Sequence, residues 1–420
     1  MSRLVDDCFA VAGTLLTAPA ALDLIAARVM RVTEPERVPL REARGRVLAS
    51  DVVAARDVPP HDNAAMDGYA VCAHDLDSGR ETRLAVTGRV TAGHPLARPV
   101  GRGEAIRIFT GAAMPTGPDT VVMQEDCQLE GDTVIVPAGI APGANCRHRG
   151  EDIRAGSAIL RCGSRLRPQD IGLAASVGET TLEVSRRLRV ALFSTGDEVR
   201  EPGETLQPGC LYDSNRYTVS ALLERLGASV TDLGILQDDA AAISEALARA
   251  AEPHDLIITS GGVSVGEEDH VKTVVQQLGQ LHLWRVAIKP GKPIALGQIK
   301  GVPFVGLPGN PVAVMVTFLR LVRPLVLRLM GCEHVDPVVY RVRAGFEHQK
   351  KPNRREWVRV RLERDDAHEL VARKFPREGA GILSSVVAAD GLVELAEDVT
   401  EVERGTMVDF LPFTELDASC

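Results

Sequence analysis

The stretch DLIITSGGVSVGEED (255–269) runs from an unbroken apolar segment into a glycine-rich turn, and the residues after it, to 278, carry a helical pattern. A short apolar run without polar alternation is the mark of a strand buried on both faces. The glycines of 259–269 let the backbone turn sharply and approach a ligand closely, and free N–H groups at a helix start favour an anion. The turn lacks the Gly-Lys-Ser/Thr of a Walker A loop and the Gly-x-Gly-x-x-Gly of dinucleotide folds. On spacing alone it is equally a tight strand-to-helix turn, with Glu267 to Asp269 completing the helix start.

Outward from this stretch the same alternation repeats. RVALF (189–193) is apolar and ends in Ser194-Thr-Gly-Asp-Glu198; a helix is predicted over 216–226, a strand over 229–236, and a helix over 240–251 capped by Asp238-Asp239. VPFVGL (302–307) runs into Pro308-Gly-Asn-Pro311 and a long apolar helix. Strands alternating with helices at this spacing mean βα units and a parallel sheet. Three glycine-containing loops then gather at the carboxyl end of that sheet, where ligands bind in open α/β folds.

The flanking regions have another texture. A helix is predicted over 17–30 with Thr17 as N-cap; residues 61–146 are short Val/Ile runs broken by Gly, Pro and Asp, and 339–344, 356–362 and 369–374 are strands of a small sheet or barrel. The expected fold class is therefore α/β plus β-rich subdomains in an elongated multidomain chain with a small C-terminal β-barrel. The expected boundaries are 1–30 (a helix packing on the α/β domain), 31–60 with 147–186 (a connecting subdomain), 61–146 (β-rich), 187–334 (α/β) and 335–420 (barrel).

Composition narrows the function classes. The formal charge of −9 argues against nucleic acid or an anionic membrane as the main partner, so an anionic ligand must be met by a local positive field. The eight cysteines stand singly, with no Cys-x-x-Cys pair, as suits a reducing cytoplasm. Asp6 and Asp7 occupy the place of a basic leader region, so an export signal is not expected. The apolar stretch 312–330 carries Arg320, Arg323, Pro324 and Arg328, which makes it a buried or amphipathic helix and not a membrane span. Lysine occurs seven times, first at Lys272, yet IKPGKP (288–293) places Lys289 and Lys292 three residues apart. Ammonium groups there suit a phosphate or oxyanion, although the same segment could be a solvated hairpin turn. Carboxylates share the sheet-end loops at Asp197, Glu198, Asp238, Asp239, Glu268 and Asp269, as turn or cap residues or as the hard donors a Mg²⁺ site needs.

Taken in order, HDNAAMDGYAV (61–71), IRIFTGAAMPTGPDTVVMQED (106–126), RGEDIRAG (149–156), FSTGDEV (193–199), SGGVSVGEED (260–269), IKPGKP (288–293) and LPGNPV (307–312) resemble the molybdopterin molybdenumtransferase family, which includes the gephyrin E domain. The resemblance implies an enzyme of molybdenum-cofactor synthesis that inserts molybdate into adenylylated molybdopterin with Mg²⁺, releases AMP, and works in the cytoplasm as a homodimer with a shared cleft. Molybdopterin adenylyltransferase and acceptor molybdoenzymes are the further partners it implies; nucleic acid and membrane are not expected.

Carried over position by position, the resemblance implies a catalytic set of Asp67, Thr110, Asp152, Glu198, Asp269 and Lys289. Substrate would be held by Ser260, Gly261, Gly262, Ser264, Lys292, Gly309, Asn310 and Arg359, and Mg²⁺ by Asp238 and Asp269. The chain departs from the family pattern at Arg285, where some relatives have lysine, and at Ala313 and Ala380, where a hydroxyl is common. Those losses leave open a molybdopterin-binding paralogue without turnover or with a tungstate preference. An adenylyltransferase-like activity is the other alternative, disfavoured by the N-terminal MDGY and FTG segments. A receptor-clustering scaffold is disfavoured by the absence of a fused second α/β domain.

Overall fold

The computed structural model describes residues 8–10, 15–261, 270–291 and 293–417. The chain divides into two compact units: Asp51–Arg161 with Pro168–Thr181, and Met1–Ser50, Cys162–Arg167 and Leu182–Cys420.

The smaller unit is built on a six-stranded sheet in the order Thr120–Met123, Gly68–Val71, Glu104–Ile108, Thr82–Val90, Thr133–Val136, Gln128–Glu130. Its strands alternate by the period of two that sends successive side chains to opposite faces. Ala70, Ile106, Ile108 and Val121 pack into one cluster, while Tyr69, Val71, Ala105 and Val122 pack into another. Asp67-Gly68 is not a turn. Gly68 opens a buried strand, and a Cβ there would lie 1.9 Å from the Val122 carbonyl oxygen, so only glycine fits.

In the larger unit the α/β region contains β1 (Arg189–Thr195), β2 (Ser229–Leu236), β3 (Leu256–Ser260), β4 (Gly279–Arg285), β5 (Pro293–Ile299) and β6 (Val302–Leu307). The sheet order is β2-β1-β3-β6-β5-β4, with β1, β2, β3 and β6 parallel and β5 antiparallel to both neighbours. Alternate residues feed two cores: Val190, Leu192 and Ile258 face the helices Ala18–Arg28, Asn215–Arg225 and Pro311–Thr317, while Ala191, Phe193 and Ile257 face Ala240–Ala250 and His270–Leu278. A sheet covered on both faces explains the unbroken apolar runs. Thr17 caps the first helix by accepting from the Ala20 N–H at 3.3 Å.

The predicted helix over 312–330 is three pieces: an α-helix Pro311–Thr317, a π-helical turn Phe318–Val322 and an α-helix Arg323–Leu329. Pro324 has no N–H for the Arg320 carbonyl, and the wider turn accommodates that loss. The arginines in this apolar stretch are used internally: Arg320 pairs with Glu394 at 3.0 Å, and Arg323 donates to the Val335 carbonyl at 2.5 Å. No helix among the described residues is long and apolar enough to cross a membrane.

The sequence reading did not include β4 and β5. Both carry glycines in places where the strands nearly touch: a Cβ at Gly297 would lie 2.2 Å from the Gln280 carbonyl oxygen. Glycine serves close approach here, whereas in sequence it signals a break. The segment between them is not a solvated hairpin. Ile288–Lys289 leaves the α/β sheet and pairs in parallel with Arg355–Glu356, and Ile288 is buried.

The C-terminal region is a closed five-stranded barrel of β7 (Tyr340–Ala344), β8 (Arg355–Arg364), β9 (Leu370–Lys374), β10 (Gly391–Leu395) and β11 (Met407–Pro412). The strands run β8-β9-β7-β11-β10, and β10 pairs back on β8 to close the ring. Sequence indicated the first three. The GLVEL of β10 is buried without the alternation that identifies a half-exposed strand.

Candidate active site

The ends of β1, β3 and β6 lie side by side, with Ser194 in register with Ser260 and Ser260 in register with Leu307. The described residues just beyond these ends include the glycines Gly196, Gly261 and Gly309. Gly261 (φ 89°) donates its N–H to the Leu307 carbonyl at 3.3 Å, and a Cβ there would lie 3.0 Å from the Thr195 carbonyl oxygen. Gly196 (φ 135°) lets the Glu198 carboxylate fold back over the turn, 2.6 Å from where a Cβ would sit. Asn215 donates its side-chain amide to the Gly309 carbonyl at 2.8 Å, tying the β6 loop to the neighbouring helix. Asn310 stands at the N-cap position with its side chain exposed and making no cap bond. The hydroxyl of Ser194 is buried at this end of the sheet and has no hydrogen-bond partner among the described residues.

The acids divide by role. Asp239, not Asp238, caps the next helix, accepting from the Ala242 N–H at 2.8 Å. Asp238 and Glu198 are exposed beyond the ends of the adjacent strands β2 and β1. They are hard oxygen donors of the kind Mg²⁺ takes. Gly262, Ser264, Asp269 and Lys292 lie outside the described residues. Among the described residues, the trio whose metal-ligating atoms lie within 4.8 Å of one another is Cys72, His74 and Asp75, in the smaller unit. It is not the oxygen-only set that suits Mg²⁺, and Arg102 and the Gly103 N–H already hold the Asp75 carboxylate.

A concavity of about 210 Å³ opens between the Ile288-Lys-Pro-Gly291 loop and the barrel. Lys289, Glu356, Arg359, Lys374, Glu378 and Ala380 line it. The Lys289 ammonium lies 3.3 Å from Glu356 and 3.7 Å from Glu378, and Lys374 bonds Glu378. Glu356 is buried and bonds Arg354 and, at 3.0 Å, His348. Burial alone would raise its pKa, but His348, Arg354 and Lys289 outweigh that and hold the carboxyl down at about 2. Glu378 is likewise lowered, chiefly by its bond to Lys374. Arg359 donates to Ser385 Oγ at 3.0 Å; burial lowers its pKa and Glu378 opposes the shift. Lys289, Lys374, Arg354 and Arg359 outnumber the two carboxylates, so the lining carries excess positive charge in a chain that is net negative.

The turn after β6 abuts the cavity wall. The Val312 N–H donates to the Ala380 carbonyl at 2.9 Å, and a Cβ on Gly381 would lie 3.9 Å from Asn310 Oδ1. Ala380 faces the cavity, and Ala313 is buried behind Gly291. One hydroxyl does remain in that wall: Thr317 Oγ1 is buried, unpartnered among the described residues, and 2.9 Å from the Cβ position of Gly291.

In the smaller unit two site residues that are far apart in sequence meet. Both the N–H and the hydroxyl of Thr110 donate to Asp67 Oδ1 at 2.8 Å, and these bonds lower the Asp67 pKa, the backbone bond most. Asp152 is exposed; its N–H is spent on the Val58 carbonyl at 3.0 Å.

Sequence reasoning missed His348, Glu356, Lys374 and Glu378. Two signals were available. Lys374 is one of only seven lysines, and Glu356 shares strand parity with the barrel-core residues Val358 and Val360. A carboxylate at an inward position calls for a partner.

A two-sided α/β domain with glycine turns at its sheet end, next to a basic cavity against a β-barrel, defines a multidomain α/β protein with a site suited to anions. Family models described as MoeA N-terminal region (domain I and II), probable molybdopterin binding domain and MoeA C-terminal region (domain IV) match residues 16–178, 191–328 and 341–413. The molybdopterin molybdenumtransferase of Haemophilus influenzae is 39% identical over 386 residues, spanning 91% of this chain and 95% of that protein. Molybdopterin molybdenumtransferase 2 of Mycobacterium tuberculosis is 35% identical over 400 residues, spanning 93% and 98%. The crystal structure of the molybdopterin biosynthesis moeA protein from Pyrococcus horikoshii OT3 superposes with a TM-score of 0.82 at 30% identity, covering 95% of this chain and 100% of that one. The chain belongs to the molybdopterin molybdenumtransferase family, a family of enzymes.

Proposed function

We propose that this protein inserts molybdenum from molybdate into adenylylated molybdopterin and releases AMP, forming the molybdenum cofactor. The observation that carries the reading is the lysine- and arginine-lined cavity, whose Ala380 is bonded to the helix start that follows the β6 turn. Relatives matching more than nine-tenths of the chain bear the name of that activity.

On this reading the phosphoanhydride lies against the β3 and β6 turns, at Ser260, Gly261, Gly262, Ser264, Gly309 and Asn310. Glycine and short side chains at these positions let a phosphate approach the backbone closely, and the exposed Asn310 amide adds a polar group. Molybdate, a dianion and a substrate, occupies the cavity, where Lys289 supplies a mobile point charge and Arg359 a planar donor fixed by Ser385. Lys292 follows Lys289 by three residues in the sequence and is the second ammonium of this reading. Mg²⁺ would be held by Asp238 with Asp269 and would neutralise charge on the departing phosphate. Glu198 adds an exposed carboxylate beyond the end of β1. Asp67 and Thr110 complete the cleft from a second copy of the chain in a homodimer, and Asp152, in the connecting segment, is a further catalytic acid. The exposure of the Asp67–Thr110 pair, away from its own core, supports that role. The setting is the cytoplasm, with molybdopterin adenylyltransferase and acceptor molybdoenzymes as partners; cysteines standing singly in the sequence suit it.

The test is to incubate the purified protein with adenylylated molybdopterin, Mg²⁺ and molybdate, and to measure AMP release and reconstitution of an apo-molybdoenzyme. Release of AMP that depends on protein and molybdate supports the reading. AMP no higher than in the no-protein control would leave only a binding paralogue.

A further inference from the structure

The two ring nitrogens of His348 face groups of opposite charge. Nε2 lies 3.0 Å from the Glu356 carboxylate, and Nδ1 lies 3.0 Å from the Lys374 ammonium. An imidazole satisfies both in one state only: a proton on Nε2, donated to the carboxylate, and a lone pair on Nδ1, accepting from the ammonium. The other neutral tautomer would set donor against donor at Lys374. The imidazolium would place a second positive charge beside it.

The remaining charges close this arrangement into a ring. Lys374 bonds Glu378, Glu378 lies 3.7 Å from Lys289, and Lys289 lies 3.3 Å from Glu356, which returns to His348. Glu378 also comes within 3.9 Å of Nδ1, and Arg354 holds the other oxygen of Glu356. His348 and Glu356 are the buried members, 7% and 2% exposed, while Lys289 reaches the cavity. The imidazole is thus the one neutral member of the ring and ties its two lysines to a common anchor. Ordering of this kind, behind the groups that meet a ligand, is what gives flexible ammonium side chains a fixed geometry.

We infer that His348 is a positioning residue: fixed as the neutral tautomer protonated on Nε2, it holds Lys374 directly and Lys289 through Glu356, and so sets the affinity of the cavity for a tetrahedral oxyanion. The inference rests on the reading of the cavity as the molybdate site. It concerns binding rather than turnover, so the two can fail separately.

The experiment compares wild type with His348→Gln, His348→Leu and Lys289→Ala, and the His348→Leu change is repeated in the Lys289→Ala background. Molybdate binding is measured by calorimetry and AMP release at varied molybdate. Glutamine can donate to Glu356 and accept from Lys374; leucine can do neither. The expected result is that His348→Leu binds molybdate about tenfold or more weakly and raises the molybdate KM with little change in kcat. His348→Gln should recover most of that affinity, and His348→Leu should lose much less in the Lys289→Ala background. Wild-type affinity in His348→Leu would overturn the inference. So would equal weakening in the leucine and glutamine variants, which would mark a packing role. Molybdate binding by a wild type that releases no AMP would count against the proposed reaction and leave this comparison readable.

Discussion

The Lys289 ammonium lies 3.3 Å from the carboxylate of Glu356, and the two side chains differ sharply in exposure, 42% against 2%. The acid is a buried anchor and the lysine a charge held at the cavity edge. Removing either breaks the same contact, but the group left behind differs. Without Lys289, Glu356 keeps His348 and Arg354. Without Glu356, those donors and Lys289 face a desolvated gap.

The first prediction is an asymmetry. Glu356→Ala should destabilise the protein by about 3–5 kcal/mol, as expected for taking one partner out of a buried ionic group. Lys289→Ala should cost no more than about 1 kcal/mol, because its charge is screened by solvent. Both should lose most AMP release. Urea unfolding of the two variants decides it, and equal losses of stability would contradict the anchor role.

A second prediction concerns acid. Glu356 is held down at about 2 against an ordinary 4.5, and Asp255, buried between Arg186 and Arg189, at about 2 against 3.8. In both, burial opposes the shift and the hydrogen-bonded partners prevail. A carboxyl whose folded pKa is depressed stabilises fully above its unfolded value, and that stabilisation is lost as pH falls through the folded value. Unfolding midpoints should therefore fall between pH 4.5 and about 2, and less steeply in Glu356→Gln and Asp255→Asn, each of which starts from a lower plateau. Slopes identical to wild type in both variants would rule out these two groups as the source.

The third prediction uses the Asp67–Thr110 contact. Thr110→Val removes the hydroxyl bond and keeps the N–H bond, while Asp67→Ala removes both. Because the pair is exposed, thermal midpoints should barely move. AMP release should fall in both variants, and the double variant should be little worse than Asp67→Ala, since the two residues share one contact. Strictly additive losses in activity would show that the two act independently.

The parallel part of the fold was legible because a two-sided sheet leaves apolar runs of strand length between helical patterns, as in RVALF and DLIIT. The antiparallel β4 and β5 were not, since Gly279 and Gly297 mark backbone contact in space and a break in sequence. The site divides in the same way. Turns such as Gly196 and Gly261 are local and could be read; the convergence of Thr110 on Asp67, 43 residues away, is a tertiary fact. The ring around Glu356 depends on tertiary pairing, in which His348 and Glu356, from the start of β8 and the residues before it, meet Lys374 and Glu378, four residues apart at and just beyond the end of β9, and Lys289 from the α/β region. Spacing along the chain carries no trace of that meeting.

The last prediction tests how the loop bearing Lys289 is seated. Gly291 has φ 95°, and a Cβ there would lie 2.9 Å from the buried Thr317 hydroxyl and 3.8 Å from Ala313. Gly291→Ala therefore meets two separate obstacles, the left-handed backbone and the clash with Thr317. The first costs about 1–2 kcal/mol for any residue with a Cβ. The second can be relieved, because shortening Thr317 to alanine removes the oxygen in the way. Gly291→Ala alone should raise the molybdate KM by pushing the Lys289 loop off its seat. The double variant Gly291→Ala/Thr317→Ala should recover part of that loss and keep the backbone part. If Thr317→Ala gives no recovery, the strain lies wholly in the backbone. If Gly291→Ala leaves the molybdate KM unchanged, the loop does not need this seat to present Lys289.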